Sequence, residues 1–316
     1  MTTSREMTTG PALPLILNFT LPLLLGNLLQ QTYSLVDAAI VGQFLGIDAL
    51  AGVGASSSVI FLILGFCNGC CCGFGIPVAQ RFGARDYADM RRYVANALRL
   101  AVGISVTVAI VTSIWCADIL HAMRTPDNIF RDAYLYLLVT FIGIPCTFFY
   151  NLLSNIIRAL GDSRTPFWFL LFSTVLNIAL DLWFVVTFQL GAAGAALATI
   201  SGQLFSFGLL LFGCTRGGNL RLHPSKIRFT RHIFKEILRG GFPSLCRQSL
   251  MAISTICLNT ASGLYGDAAI AAMSVVNRYS NFLICVGLGI GQGFQPVASF
   301  LSLIHISEPT RLRCIS

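Results

Sequence analysis

Between residues 167 and 188 the chain is apolar for about twenty residues, the length of a helix that crosses a bilayer, yet it carries Asn177 and Asp181 one helical turn apart on the same face. A carboxylate inside such a span costs about 2.5 kcal/mol or more on insertion scales, so it must face protein or water rather than lipid. Asp37 occupies a second apolar stretch in the same way. Two isolated acids in separate spans constrain the fold more than any soluble motif would, because they require a bundle that turns both of them inward. A pair of acids that only ties helices together is the alternative role.

Hydrophobic residues make up 55% of the 316 and charged residues only 11%, against about 25% charged in soluble globular domains. The chain is therefore read as an all-α polytopic membrane protein. Its net charge of +8 falls mostly in short loops, where cytoplasmic retention and anionic lipid account for it, and no aromatic-interleaved basic module points to nucleic acid. Of the eleven cysteines, nine lie in or beside apolar spans, where Cys behaves as a small hydrophobe. The Cys70-Cys71-Cys72 run lacks partners at ligand spacing, so neither a metal site nor any cofactor is expected.

Six spans are expected in residues 1–213, at about 15–45, 49–79, 95–116, 134–157, 167–188 and 195–212. The first holds Pro22, which removes a backbone hydrogen bond and favours a kink, and the polar series Asn27, Gln30, Gln31, Ser34 and Asp37 draws a stripe along one helix face. Arg and Lys collect in the loops after the second, fourth and sixth spans, including a basic connection at 214–239, while the other loops are poor in them. By the positive-inside rule the N-terminus and that connection face the cytoplasm, which places the chain as a multi-pass protein of the cell inner membrane.

After the connection the pattern starts again. Gly241-Phe242-Pro243 echoes Thr20-Leu21-Pro22, Gly266-Asp267-Ala268-Ala269 echoes Gly46-Ile47-Asp48-Ala49, and Gln295-Pro296-Val297-Ala298 echoes Ile76-Pro77-Val78-Ala79, all at an offset of about 220 residues. A duplicated six-span unit follows, with parallel repeats related by an axis along the membrane normal. Residues 240–300 supply only two spans of the second copy, and 301–316 turn polar where the repeat calls for more membrane. That tail resembles translated sequencing-adapter text and is read as non-native.

The duplicated unit, the Pro22 and Asp37 first span, the Asn177-x-x-x-Asp181 fifth span, Pro77-Val78-Ala79-Gln80 and Arg158-Ala159-Leu160-Gly161-Asp162 together resemble the multidrug and toxic compound extrusion (MATE) family. The bacterial DNA-damage-inducible-type branch is the nearer likeness, over about residues 10–300. The resemblance implies twelve helices in two six-helix lobes around a cavity, and export of organic cations, drugs or other amphiphiles driven by inward H⁺ or Na⁺. Helices nine to twelve are absent, so the chain is read as C-terminally truncated. The resemblance also implies a cation-coupling site at Asp37, Asn177, Asp181 and Thr199 with a fourth-helix Asn. Both Asn151 and Asn155 fit that last position. Pro22 is implied as the point where the first helix bends.

Partners are then the lipid bilayer and cationic or amphiphilic small molecules. A polysaccharide or lipid-intermediate flippase of the same superfamily is an alternative, but the first lobe's spans carry no mid-membrane Arg for anionic head groups. A non-functional truncated fragment is another. A membrane-embedded enzyme is not expected: His121, His223 and His232 all fall in loops, and neither His-Glu-x-x-His nor Gly-x-Ser-x-Gly occurs.

Overall fold

A computed structural model describes residues 12–84, 86–123, 125–216, 231–263, 276, 280 and 283–294. The described elements are helical: α1 (Ala12–Leu45), α2 (Ile47–Gly83), α3 (Tyr87–Ile114), α4 (Cys116–Ala122), α5 (Asp127–Ile142), α6 (Ile144–Ala159), α7 (Arg164–Asp181), a π-helical turn (Leu182–Thr187), α8 (Ala192–Arg216), α9 (Arg231–Gly263) and α10 (Leu283–Phe294). Among them, Val59–Gly83, Tyr87–Ile114, Arg164–Thr187 and Ala192–Phe212 are long and apolar enough to cross a membrane, and the bent pair α5 and α6 makes a fifth such unit. Large apolar side chains such as Ile110, Phe172, Val175 and Leu204 stand exposed on the outside, as lipid-facing residues do. The three tryptophans, Trp115, Trp168 and Trp183, are exposed as well.

The largest core lies between α2, α3, α5 and α6, where Phe74, Met90, Leu137, Phe141, Phe148, Leu152 and Ile156 are almost wholly buried. A smaller cluster of Val41, Ala49, Val53, Val185, Ala192 and Ala195 seals the end of α1 against α2, the π turn and α8. Two span starts have a clear local cause. Asp86 opens α3 by accepting the Asp89 amide at 3.0 Å, and Asp162 opens α7 by accepting the Arg164 and Thr165 amides, both at 3.0 Å.

Four boundaries differ from the sequence expectation, the simplest being α3, which begins at Tyr87 rather than near 95. The fourth span is not one rod: α5 and α6 meet at Gly143 with a bend of 48°. Pro145 lies in the first turn of α6 and has no N–H to continue the α5 ladder. Gly143 leaves the inner side of the corner open to Ile200 of α8, whose Cδ1 would stand 2.3 Å from a Cβ at that position. The fifth span is α-helical only to Asp181 and then widens into the π turn. The helix α9 begins at Arg231, inside the stretch read as a connection, because Phe234 and Ile237 find apolar partners in the main core.

Past α9, α10 lies along α1 across Pro22. A Cβ on Gly289 would come within 3.2 Å of the Leu24 backbone, one on Gly293 would collide with Thr20, and Gln31 donates to the Cys285 sulfur at 3.3 Å. The rest of the proposed connection (217–230), the repeat segments at 266–269 and 295–298 and the tail at 301–316 lie outside the described residues.

Candidate functional site

Asp181 closes the last α-helical turn of α7 and is fully shielded from solvent, and Asn177, one turn earlier, is 3% exposed. Asp37 comes to the same place from α1 and lies beside Asp181, near enough for one carboxyl to donate to the other when it holds a proton. As two carboxylates neither can donate to the other. Both Asp181 oxygens, Oδ1 of Asp37 and both amide ends of Asn177 are buried without a hydrogen-bond partner. No cationic side chain among the described residues acts on either acid.

The backbone places these groups tightly. Ser173 donates to the Gly202 carbonyl of α8 at 2.9 Å, and a Cβ on Gly202 would sit 3.3 Å from Cβ of Asn177, so α7 and α8 approach closely there because residue 202 has no side chain. The widened turn directly after Asp181 breaks the regular i to i−4 pattern at the acid, a placement common at functional positions.

Thr199 of α8 joins through Tyr33, whose hydroxyl lies 2.8 Å from the Thr199 hydroxyl. Both Tyr33 and Tyr136 of α5 lie within electrostatic reach of Asp37 and Asp181. Neither tyrosine was singled out in the sequence, although Tyr33 precedes Asp37 by one helical turn and so belongs to the same face. Removing only the hydroxyl in Tyr33→Phe is expected to lower the thermal stability of the purified protein by about 1 kcal/mol, the usual worth of one neutral hydrogen bond.

The two fourth-span amides behave differently. Asn151 donates to the Thr147 carbonyl at 2.9 Å and Asn155 to the Asn151 carbonyl at 2.8 Å, both within α6, while the Asn155 oxygen also accepts the Cys72 thiol at 3.6 Å. Thr147 reaches across to Gln203, one turn beyond Thr199. A polar lane thus runs down α6 and α8, and the acids sit with α1 and α7. Pro22 lies inside an unbroken α1, about four turns before Asp37. No group of three or more His, Cys, Asp or Glu among the described residues is arranged to hold a metal ion.

Two carboxyls and an amide oxygen, buried, unpaired and free of cations, suit a proton shared between the acids or a small hard cation that prefers oxygen ligands.

The MatE family model matches residues 22–183. Among curated proteins, the chain is 30% identical over 285 residues to the "Probable multidrug resistance protein YoeA" of Bacillus subtilis, covering 86% of this chain and 61% of that protein. It is 25% identical over 286 residues to the "Multidrug export protein MepA" of Staphylococcus saprophyticus, covering 90% and 63%. The chain therefore spans less than two thirds of the length of these relatives. A solved outward-facing multidrug resistance MATE family transporter of the MOP superfamily superposes with a TM-score of 0.86 at 25% identity, over 94% of this chain and 67% of that one. A MATE crystallised in a bent conformation superposes at 0.87 and 25% identity over 100% and 71%, and one in a straight conformation equally well over 99% and 71%.

Proposed function

The chain belongs to the MatE family, and from that membership we propose that it works in cation-coupled antiport, exporting cationic or amphiphilic small molecules in exchange for a proton or Na⁺. One observation carries the reading: Asp37 and Asp181, from helices far apart in sequence, meet in a buried place with unpaired oxygens and no cationic side chain among the described residues. The names of the relatives, a probable multidrug resistance protein and a multidrug export protein, support export of drugs.

In this reading residues 1–213 form the N-lobe, 214–239 the cytoplasmic connection and 240–300 part of a C-lobe. The N-terminus is cytoplasmic and the membrane is the cell inner membrane. Without an ion, two adjacent carboxylates repel and are poorly solvated, which favours whatever conformation separates them or wets them. A proton or Na⁺ between Asp37 and Asp181, with Asn177 and the Tyr33–Thr199 pair beside it, removes that cost and favours the closed arrangement. Because Pro22 weakens α1 just before the polar stripe, α1 is the element that bends as the site fills. MATE structures have been solved in a bent and in a straight conformation. Ion and substrate then favour opposite conformations, so each lowers the other's affinity by the same factor.

The test is export of a fluorescent organic cation from cells or vesicles that hold the protein, with an imposed pH gradient in one arm and an imposed Na⁺ gradient in the other. Export driven by either gradient alone supports the reading and names the ion. Export indifferent to both, at full expression, overturns it.

A further inference from the structure

At the end of the molecule opposite the π turn, three helices are tied through one phenol. Tyr93, 3% exposed in the second turn of α3, donates its hydroxyl to Oε2 of Glu236 on α9. From α2, Arg81 donates to the same hydroxyl at 3.3 Å and lies over the Tyr93 ring, 5.2 Å from its centre. On the outer side, Nδ1 of His232 stands 3.6 Å from Oε1 of Glu236, one turn earlier on α9. These groups sit where the basic loop between α2 and α3 meets the start of α9.

The tie holds a segment with a built-in weak point. Before it, Phe234 and Ile237 of α9 dock into the core of α2, α3 and α6. After it comes Gly240-Gly241-Phe242-Pro243, inside a continuous helix. Pro243 cannot donate to the Arg239 carbonyl, and two glycines in succession are the least helix-favouring pair available. The first turns of α9 can therefore move as a short lever about residues 240–243 while the rest of the helix stays in place. Among the described residues, the polar tie across this seam runs from guanidinium to phenol to carboxylate, and each of its bonds involves a charged group.

We propose that Arg81, Tyr93 and Glu236 form a latch that clamps the start of α9 onto α2 and α3, and that this latch must break before the two sides of the α2–α9 seam can part. Its place in a transport cycle rests on the antiport reading above, in which this end faces the cytoplasm and the latch closes the inner gate. The latch itself does not depend on that reading. A phenol bridging two charged groups suits such a gate: neither ion has to be left bare in apolar surroundings when the contact opens, since Glu236 is half-exposed and keeps His232 beside it.

The test is backbone hydrogen exchange, read by mass spectrometry on the purified chain in detergent or nanodiscs without substrate. Tyr93→Phe, which removes the bridging hydroxyl, is expected to speed exchange in residues 231–240 about tenfold, the factor that corresponds to one charge-assisted hydrogen bond, and Glu236→Gln, which leaves only a neutral acceptor, about threefold or more. The double variant should exchange no faster than the quicker single one, because both break the same chain. Arg92→Gln, which removes only the exposed pair with Asp89, should leave 231–240 at the original rate, and peptides from α7 and α8 should be unchanged throughout. Glu236→Gln alters a half-exposed carboxylate and leaves the core intact, so it decides the matter even where Tyr93→Phe loosens the whole fold. Exchange in 231–240 that stays unchanged in Glu236→Gln, or effects of the two substitutions that simply add, would overturn the latch. Because the readout needs neither ion nor substrate, it can fail while ion-driven export holds, and hold while export fails.

Discussion

Asp37→Asn and Asp181→Asn are each expected to abolish ion-driven export while making the folded chain more stable. The two effects have one cause. Asp181 is fully shielded from water, no cationic side chain among the described residues stands by the pair, and both Asp181 oxygens and Oδ1 of Asp37 lack donors. A carboxylate held so is tolerated only because something other than folding requires it. An amide of the same shape has no charge to desolvate and brings its own N–H, which the neighbouring carboxyl can accept. Relief of this kind is worth about 1–3 kcal/mol when a buried ionic group is replaced by a neutral one of similar volume. Export falls by at least about tenfold, because the neutral pair no longer distinguishes the ion-loaded state from the empty one and a ligand without differential affinity shifts no equilibrium. The opposite signs separate the two roles weighed for the acids. Were they only tying α1 to α7, removing either would lower stability along with activity. Thermal unfolding of the purified variants, set beside export at matched expression, reads both signs.

A second large effect is expected at the corner of the fourth span. Gly143→Ala places a methyl 2.3 Å from both Cγ1 and Cδ1 of Ile200, with Cγ2 at 3.2 Å. Ile200 is β-branched and part of α8, so its stem cannot swing aside without moving the backbone beside Thr199 and Gln203. Overpacking of this kind costs about 1–3 kcal/mol. The control is Gly208→Ala on the same helix as Ile200, where nothing lies within 4 Å of the added methyl; there the gain in helix propensity should stabilise by about 0.5–1 kcal/mol. A thermal midpoint that drops for the first and rises for the second supports the corner as a packed joint. Equal behaviour would show that the bend at Gly143 carries no packing constraint.

How legible the fold and the site were in the sequence depended on the kind of signal. Long apolar runs set the helical membrane class, since backbone polar groups in lipid leave few other solutions, and Asn177 and Asp181 announced themselves as polar groups where none is cheap. The meeting of Asp37 with Asp181 is a tertiary fact that periodicity does not contain. The break in the fourth span was written in Gly143-Ile144-Pro145, but a run of apolar residues on both sides hid it from a reading based on hydropathy alone. Nothing in the composition of residues 182–187 marks the π turn. Tyr33 was missed because tyrosine in a span reads as ordinary packing, and only its position one turn before Asp37 gave it away. Asn151 and Asn155 could not be ranked from their spacing. Both now turn out to bond along their own helix, a habit of short polar side chains that spacing does not reveal.

The outward placement of all three tryptophans has an optical consequence. Trp115 is 58% exposed, Trp168 62% and Trp183 52%, the last only two residues past Asp181 yet with its side chain half-exposed. The intrinsic ultraviolet emission of this protein is therefore a reading of its lipid shell. Lipids carrying bromine on their acyl chains are expected to quench most of that emission, whereas filling the buried site with an ion should leave intensity and wavelength nearly constant. A quencher confined to water that removed most of the signal would contradict the outward, lipid-facing assignment.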